Sequence, residues 1–256
     1  MTRIFDALSK GRPAPPVRDP ATPPALAAVP PRATHTMERP VAPGGGMRVR
    51  VVALGRAAGL PPDVLREMTG LRVSLEGALT QRIPRTVFLV ASQGGEGTST
   101  VAAQFAQVLA ADDRLRVLVV DAHARRPAYE PGGTLAVLRD ARSSAQDARN
   151  LDLMPLEQSV QGDRSVTPES LRASLDAVSS GYDWILVDGP PVLESPDAAS
   201  LGAVADGVLV VVQAGRTKRP VLARSVDLLN RAGSRVLGVV LNRRRLEIPE
   251  FIYRRI

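Results

Sequence analysis

Six short apolar runs recur along the chain from about residue 86 onward. Each run is continuous and rich in Val, Leu and Ile instead of alternating with polar residues. Such runs are typical of strands that are buried on both faces of a sheet. The predicted strands are Thr86–Ala91, Val117–Asp121, Leu151–Pro155, Trp184–Asp188, Gly207–Gln213 and Val236–Leu241.

Stretches with an apolar residue at every third or fourth position separate these runs and predict helices. The predicted helices are Pro62 to about Leu79, Ser99–Ala111, Pro168–Ser179, Ala198–Ala203 and Pro220–Ala232. Because buried strands alternate with helices, the pattern predicts an α/β fold with a doubly wound, mostly parallel sheet and helices on both faces. Residues 127–150 are polar and irregular, and we expect a mobile loop or a short helix there.

The first 46 residues have a different composition. Ten of the 22 prolines lie in residues 11–46, which end in three glycines, so this segment is predicted to be a disordered linker. Ahead of it, Ile4, Phe5 and Leu8 would share one side of a helical turn, as in a docking segment or a frayed tail. We therefore expect a docking segment at 1–10, a linker at 11–46 and a folded domain at 47–256 with a basic tail.

Composition and charge narrow the classes of function. The chain has no cysteine, which excludes disulfides, thiolate metal sites and a cysteine nucleophile. Its net charge of +7 comes from the two ends, with +5 in the first 50 residues and +3 in the last 14, whereas residues 51–242 carry −1. Such ends can approach acidic lipid or nucleic acid, or can simply be solvated, and we expect no nucleic-acid partner. No apolar run is long enough for a membrane helix or a signal peptide, so we expect a cytoplasmic protein.

A glycine-rich turn follows the first predicted strand and opens a helix. Backbone N–H groups in such a turn, together with a helix N-terminus, form a cradle for phosphate. The usual pattern is G-x-x-x-x-G-K-[ST], but Thr98 stands at the lysine position, and the only lysines are Lys10 and Lys218. The predicted nucleotide-binding residues are Gly94, Gly95, Glu96, Gly97, Thr98, Ser99 and Thr100. The alternatives are a turn that binds nothing and a dinucleotide-binding loop.

Two of the predicted strands end in an aspartate, Asp121 and Asp188. Ligands of parallel sheets bind at the carboxyl ends of the strands, so both carboxylates are expected to face the glycine-rich turn. With the hydroxyl of Ser99 they form a predicted set of hard oxygen ligands for Mg²⁺. The alternative is that each aspartate only caps a helix or a turn.

The order of these motifs resembles the cytoplasmic kinase domain of the bacterial tyrosine kinases of capsule and exopolysaccharide synthesis, a branch of the MinD/ParA-type P-loop ATPases. The resemblance covers about residues 62–256 and extends to the opening and closing segments. It is carried by Gly95–Thr100, Asp121–Pro127, Tyr182–Pro191, Ala203–Gly215 and Val236–Asn242.

The resemblance implies ATP or ADP with Mg²⁺ as the cofactor. The amides of the glycine-rich turn would hold the phosphates, and Ser99 would bind the metal. Asp121 would orient the metal or accept the proton of the substrate hydroxyl, and Asp188 would hold the metal through water. Asn242 would lie near the adenine.

The resemblance also implies partners. In the family, a tyrosine-rich tail is phosphorylated in trans within a ring, so a homo-oligomer is possible and Tyr253 is a possible phosphosite. Tyr253 could instead anchor the apolar tail. A membrane-spanning protein that determines polysaccharide chain length activates the kinase, which implies a location at the inner face of the cell membrane.

The sequence departs from the family at five places. Thr98 replaces the loop lysine, Gln93 replaces the earlier signature lysine of the MinD/ParA branch, and His123 replaces an aspartate. We interpret His123 as an ordinary loop residue, not as a metal ligand. The tail has the single tyrosine Tyr253, and the ring-forming helix, E-x-x-R-x-x-R in the family, matches only in part. Arg125 and Arg126 either donate to phosphate or are solvated.

Three functions follow from these features. The first is a degenerate, regulatory member of the family with weak or absent nucleotide binding. The second is an active tyrosine autokinase with altered phosphate contacts. The third is a positioning ATPase of the MinD/ParA type, which the residues at positions 93 and 98 disfavour because its ATP-bound dimer needs the signature lysine.

Overall fold

The computed structural model describes residues 3–5, 52–54, 60–80, 82–123, 128, 150–156 and 166–243. Within these ranges the strands are β1 (Arg3–Phe5), β2 (Val52–Leu54), β3 (Arg85–Ala91), β4 (Val117–Asp121), β5 (Leu151–Pro155), β6 (Trp184–Asp188), β7 (Gly207–Gln213) and β8 (Val236–Asn242). The helices are α1 (Pro62–Ala78), α2 (Thr98–Ala110), α3 (Pro168–Val178), α4 (Ala198–Gly202) and α5 (Arg219–Arg231).

All the described strands belong to one sheet in the order β1-β8-β7-β3-β6-β4-β5-β2. The six strands from β8 to β5 are mutually parallel, whereas β1 and β2 pair antiparallel at the two edges. The predicted doubly wound, mostly parallel sheet is therefore confirmed. The predicted bounds of the six parallel strands and of the helices agree with the structure to within one residue, because continuous apolar runs and helical spacing mark them clearly.

The two edge strands correct the sequence analysis. Residues 3–5 do not form a helical turn but a strand, with Ile4 opposite Val240 of β8. No strand was predicted between residue 47 and α1, whereas β2 lies there and pairs with β5. Each segment has three residues, too few to reveal a period, and each pairs with the open edge of a sheet, where unpaired N–H and C=O groups are available. The predicted linker at 11–46, nearly all of the predicted loop at 127–150, and Tyr253 lie outside the described residues.

Apolar side chains cover both faces of the sheet, as the continuous runs predicted. Helices α1 and α2 pack on one face, and their buried side chains include Met68, Leu71 and Phe105. Helices α3, α4 and α5 pack on the other face through Leu171, Leu201 and Leu229. The strands are therefore buried on both sides, and functional groups are confined to the ends of the strands.

Trp184 at the start of β6 is the largest fully buried side chain. Its ring meets Phe105 of α2 edge to face, with the ring centroids 5.9 Å apart. The guanidinium of Arg85 lies 5.2 Å from the centroid of the same ring. This contact ties α2, which begins at the glycine-rich turn, to the centre of the sheet.

None of the helices that the structure describes is both long enough and apolar enough to cross a membrane.

Replacing Phe105 with alanine should lower the free energy of unfolding by about 3–5 kcal/mol, because it removes a fully buried ring and leaves a cavity beside Trp184. Urea denaturation followed by the fluorescence of Trp184, the only tryptophan of the chain, measures this change. Val73 on α1 is 65% exposed, so Val73→Ala should change stability by no more than about 0.5 kcal/mol. Equal effects of the two substitutions would contradict this account of the core.

Candidate functional site

The carboxyl ends of three neighbouring strands form the centre of the candidate site. β6 lies between β3 and β4, and its last residue, Asp188, is directly opposite Asp121 at the end of β4. β3 continues into the glycine-rich turn, which leads into α2. The structure thus brings together the turn and the two aspartates that the sequence analysis placed at one edge, and both aspartates are buried.

The turn between β3 and α2 requires glycine at two positions. Gly95 has φ of 82° and Gly97 has φ of 93°, in the left-handed region that side chains disfavour. Gly97 immediately precedes α2, and its carbonyl accepts the N–H of Val101 at 3.0 Å. A Cβ atom on Gly97 would collide with the side-chain amide of Asn242. These conformations turn the backbone sharply from the strand into the helix.

The side chain of Glu96 points into the protein and not toward solvent. It is 2% exposed, and its carboxylate accepts the N–H groups of Ser92 at 2.7 Å and Gln93 at 3.0 Å. It also accepts the hydroxyl of Thr217. The carboxylate therefore holds the start of the turn in place, and any contact of Glu96 with a ligand would come from its main chain.

Asn242 at the end of β8 lies against the turn. Its side-chain Nδ2 donates to the carbonyl of Glu96 at 2.9 Å, and its Oδ1 accepts the N–H of Arg243 at 2.8 Å. The residue links the last strand to the turn. Its contact with adenine stays a prediction.

A carboxylate from another loop occupies the outer side of the turn. The N–H of Gly94 donates to Oε1 of Glu194 at 2.6 Å, and Glu194 itself is exposed. This amide therefore points toward an anion, as the phosphate-binding prediction requires, and the anion here belongs to the protein. The sequence analysis missed Glu194, although its position six residues after Asp188 puts it at the same edge of the sheet.

Two guanidinium groups also border the turn. Nη1 of Arg243 donates to the carbonyl of Gly95 at 3.1 Å. Nη1 of Arg216 lies 3.6 Å from the place that a Cβ atom on Gly95 would take. Both residues are exposed, and they follow the carboxyl ends of β8 and β7. Sequence reasoning proposed Arg125 and Arg126 for this role, and those two residues lie outside the described part of the chain.

His123 joins the two aspartates. Its Nδ1 lies 3.1 Å from Oδ1 of Asp121 and 3.5 Å from Oδ2 of Asp188. The imidazole is 19% exposed, whereas both carboxylate side chains are fully buried. The interpretation of His123 as an ordinary loop residue is therefore corrected. The signal available in the sequence was its position two residues after a strand-end aspartate.

The two aspartates differ in their hydrogen bonds. Asp121 accepts the N–H of His123 at 3.0 Å and the N–H of Ala128 at 2.6 Å. Neither oxygen of Asp188 receives a well-oriented hydrogen bond within the described residues. Asp121 is thus held in a fixed orientation, whereas the neighbours of Asp188 are the Ser99 hydroxyl and, at 3.5 Å, Nδ1 of His123.

Burial and charge shift the pKa values of this cluster. Burial raises the pKa of Asp188 to about 7, while the neighbouring His123 and the nearby Ser99 hydroxyl act to lower it and Asp121 acts to raise it. Burial of His123 opposes its charged form, but the hydrogen bond to Asp121 and the charges of both aspartates outweigh burial and raise its pKa. Ser99 is therefore close to Asp188, as the predicted ligand set requires.

The comparisons with known proteins agree with this architecture, although no family model matches the chain. The tyrosine-protein kinase YwqD of Bacillus subtilis is 28% identical over 216 residues, which are 79% of this chain and 90% of YwqD. The succinoglycan biosynthesis transport protein ExoP of Rhizobium meliloti is 28% identical over 178 residues, which are 62% of this chain and 22% of ExoP. The chain is thus similar in sequence to the bacterial tyrosine-protein kinases.

A solved structure supports the fold. The kinase domain of the Escherichia coli tyrosine kinase ETK aligns with a TM-score of 0.56 at 22% identity, over 72% of this chain and 78% of that domain. This likeness shows that the chain shares the fold of that kinase domain.

The position that a phosphate-binding turn normally gives to lysine holds Thr98 in this chain. Thr98 is 6% exposed, and its hydroxyl has no hydrogen-bond partner among the described residues. Gln93, at the other lysine position, is exposed, and its N–H donates to Glu96. Neither residue carries the positive charge that a phosphate-binding turn of this type normally has.

Glu194→Gln should increase the affinity for ADP by about three- to tenfold, because the neutral amide competes less strongly with phosphate for the N–H of Gly94. Isothermal titration calorimetry with ADP and Mg²⁺ measures the change. Glu169→Gln is a matched control, because it removes the same charge from an exposed position on α3. An affinity that is unchanged or lower in Glu194→Gln would show that Glu194 does not compete with the nucleotide.

Proposed function

We propose that this protein is a regulatory, degenerate member of the bacterial tyrosine-kinase family that acts in exopolysaccharide synthesis, binding nucleotide weakly at residues 94–100 with little or no phosphoryl transfer. The observation that carries the proposal is the loss of both loop cations, at Thr98 and Gln93. Losing one charge-assisted contact to phosphate weakens binding by roughly 10- to 100-fold. Losing a donor that stabilises developing charge slows a reaction by about 10²–10³-fold.

The remaining groups support residual binding. The N–H of Gly94 already holds a carboxylate, and α2 begins directly after the turn, so its N-terminus favours negative charge. Asp188 has a buried carboxylate near the Ser99 hydroxyl, which suits a cation that prefers oxygen ligands. Mg²⁺ bound there would neutralise the charge of the phosphates. In this proposal Asp121 orients that cluster and Asn242 supports the turn near the base.

The proposed pathway rests on the names of the relatives. ExoP is a succinoglycan biosynthesis transport protein, and YwqD is a tyrosine-protein kinase. We infer that this chain regulates an integral-membrane protein that determines polysaccharide chain length, and that this partner holds it at the inner face of the cell membrane. Homo-oligomerisation and phosphorylation at Tyr253 belong to the same proposal.

One observation favours a second candidate, an active tyrosine autokinase. Arg216 and Arg243 lie beside Gly95, so their guanidinium groups are available to take over the role of the missing lysine. The two candidates differ in whether the purified protein makes phosphotyrosine. The positioning ATPase of the MinD/ParA type is disfavoured, because Gln93 stands where its dimer needs a lysine.

The purified full-length chain, incubated with labelled ATP and Mg²⁺, should produce no phosphotyrosine above the background of an Asp188→Asn variant. Thr98→Lys should bind nucleotide roughly 10- to 100-fold more tightly, because it restores a charge-assisted contact to phosphate. Calorimetry measures binding, and a phosphotyrosine antibody measures transfer.

Thr69→Lys on the exposed side of α1 adds the same charge away from the turn and should leave nucleotide binding unchanged. Phosphotyrosine in the unmodified protein would overturn the degenerate assignment in favour of the autokinase. Equal nucleotide affinities of Thr98→Lys and the unmodified chain would contradict the assignment of residue 98 as the lysine position.

A further inference from the structure

Three potential ligand atoms converge between the ends of β4 and β6. They belong to Asp121, His123 and Asp188, and all lie within 4.8 Å of one another. The family pattern has an aspartate where His123 stands, so this chain combines two carboxylates with one imidazole. The set of donor atoms is therefore one imidazole nitrogen and two carboxylate oxygens.

The buried carboxylate of Asp188 faces into the cluster and suits a cation as a partner. Asp188 is 0% exposed, and neither of its oxygens has a well-oriented hydrogen-bond donor among the described residues. A buried polar group without such a partner is costly, and buried charges are normally paired or bound to metal. The single exposed member, the His123 imidazole, gives solvent access to the cluster.

The distances between the donor atoms suit a small tetrahedral site. Zn²⁺ binds imidazole nitrogen and carboxylate oxygen at about 2.0–2.2 Å, which places neighbouring ligands of a tetrahedron about 3.3–3.6 Å apart. Nδ1 of His123 is 3.1 Å from Asp121 Oδ1 and 3.5 Å from Asp188 Oδ2. The two distances from His123 therefore lie within a few tenths of an ångström of a tetrahedral edge, and all three donor atoms lie within 4.8 Å of one another.

We propose that Asp121, His123 and Asp188 form a binding site for Zn²⁺ or a similar divalent transition metal. The site binds this metal when no nucleotide is present. Imidazole is a ligand for zinc and related metals, whereas Mg²⁺ prefers oxygen and retains its water. Three protein ligands leave one tetrahedral position for water. This inference does not depend on nucleotide binding or on the proposed regulatory role.

The surroundings of Asp121 support the proposal. Its oxygens accept the N–H groups of His123 and Ala128, and such second-shell hydrogen bonds fix the orientation of a ligand. Nδ1 of His123 faces two carboxylates, so it carries a hydrogen in the metal-free protein. Metal binding needs the lone pair of Nδ1, so the imidazolium form releases its Nδ1 proton to solvent, whereas the neutral ring keeps its hydrogen on Nε2.

The test is calorimetric titration of the nucleotide-free full-length chain with Zn²⁺ after removal of metals by chelation. We expect a single Zn²⁺ per chain, and binding that is at least about 100-fold weaker in His123→Asn, because even a second-shell partner is worth 10- to 100-fold. His35→Asn is the matched control, since His35 is the only other histidine and the chain has no cysteine. Far-UV circular dichroism confirms that each variant folds.

A second variant tests the donor chemistry. His123→Asp restores an all-oxygen set, and it should reduce the ratio of Zn²⁺ to Mg²⁺ affinity by at least about tenfold. In the unmodified protein, Zn²⁺ should shift the ring NMR signals of only one of the two histidines, and His123→Asn should remove that signal.

Two results would overturn the proposal. One is the absence of Zn²⁺ binding to the unmodified chain, and the other is Zn²⁺ binding of unchanged affinity in either His123→Asn or Asp188→Asn. Neither result affects the measurement of nucleotide affinity, so the failure of this inference is distinguishable from the failure of the proposed function.

Discussion

The adjacent burial of two carboxylates is the constraint on which the site depends. The parallel register of β4 and β6 puts Asp121 directly opposite Asp188, and both are removed from solvent. Two like charges in a low-dielectric setting repel each other, so the pair needs protons, hydrogen-bond donors or a cation. Backbone N–H groups and His123 meet that need for Asp121, whereas the neighbours of Asp188 are the Ser99 hydroxyl and His123.

The backbone N–H groups of the glycine-rich turn are arranged to bind an anion. In this structure they donate to carboxylates of the protein itself. Glu96 takes the amides of Ser92 and Gln93 from inside, and Glu194 takes the amide of Gly94 from outside. In most phosphate-binding turns a lysine adds positive charge to such amides. Here the cations beside the turn, among the described residues, are guanidinium groups on its outer side. Because carboxylates of the protein already accept the amide hydrogens, phosphate would have to compete with them.

These features support a separation between fold and chemistry within one family. The sheet, its strand order and the turn that opens α2 depend on backbone geometry and apolar packing, which tolerate the loss of the loop lysine. Phosphoryl transfer depends instead on charges placed within a few ångströms of phosphate, and Thr98 and Gln93 bring no positive charge to the turn. A protein of this kind can keep a binding surface and lose a rate enhancement, because functions reside in sites and not in folds.

The sequence by itself determined the six parallel strands, the helices and the strand-end positions of Asp121 and Asp188. Apolar runs and helical spacing are local signals, and a parallel sheet collects its strand ends at one edge. Only the tertiary structure decided that Glu194 bonds to Gly94, that Asn242 packs on Gly97, that His123 joins both aspartates and that residues 3–5 form an edge strand. Glu194, Asn242 and residues 3–5 meet partners that are 100 or more positions away in the chain, and His123 reaches Asp188 from another strand, so chain folding and not local pattern sets these distances.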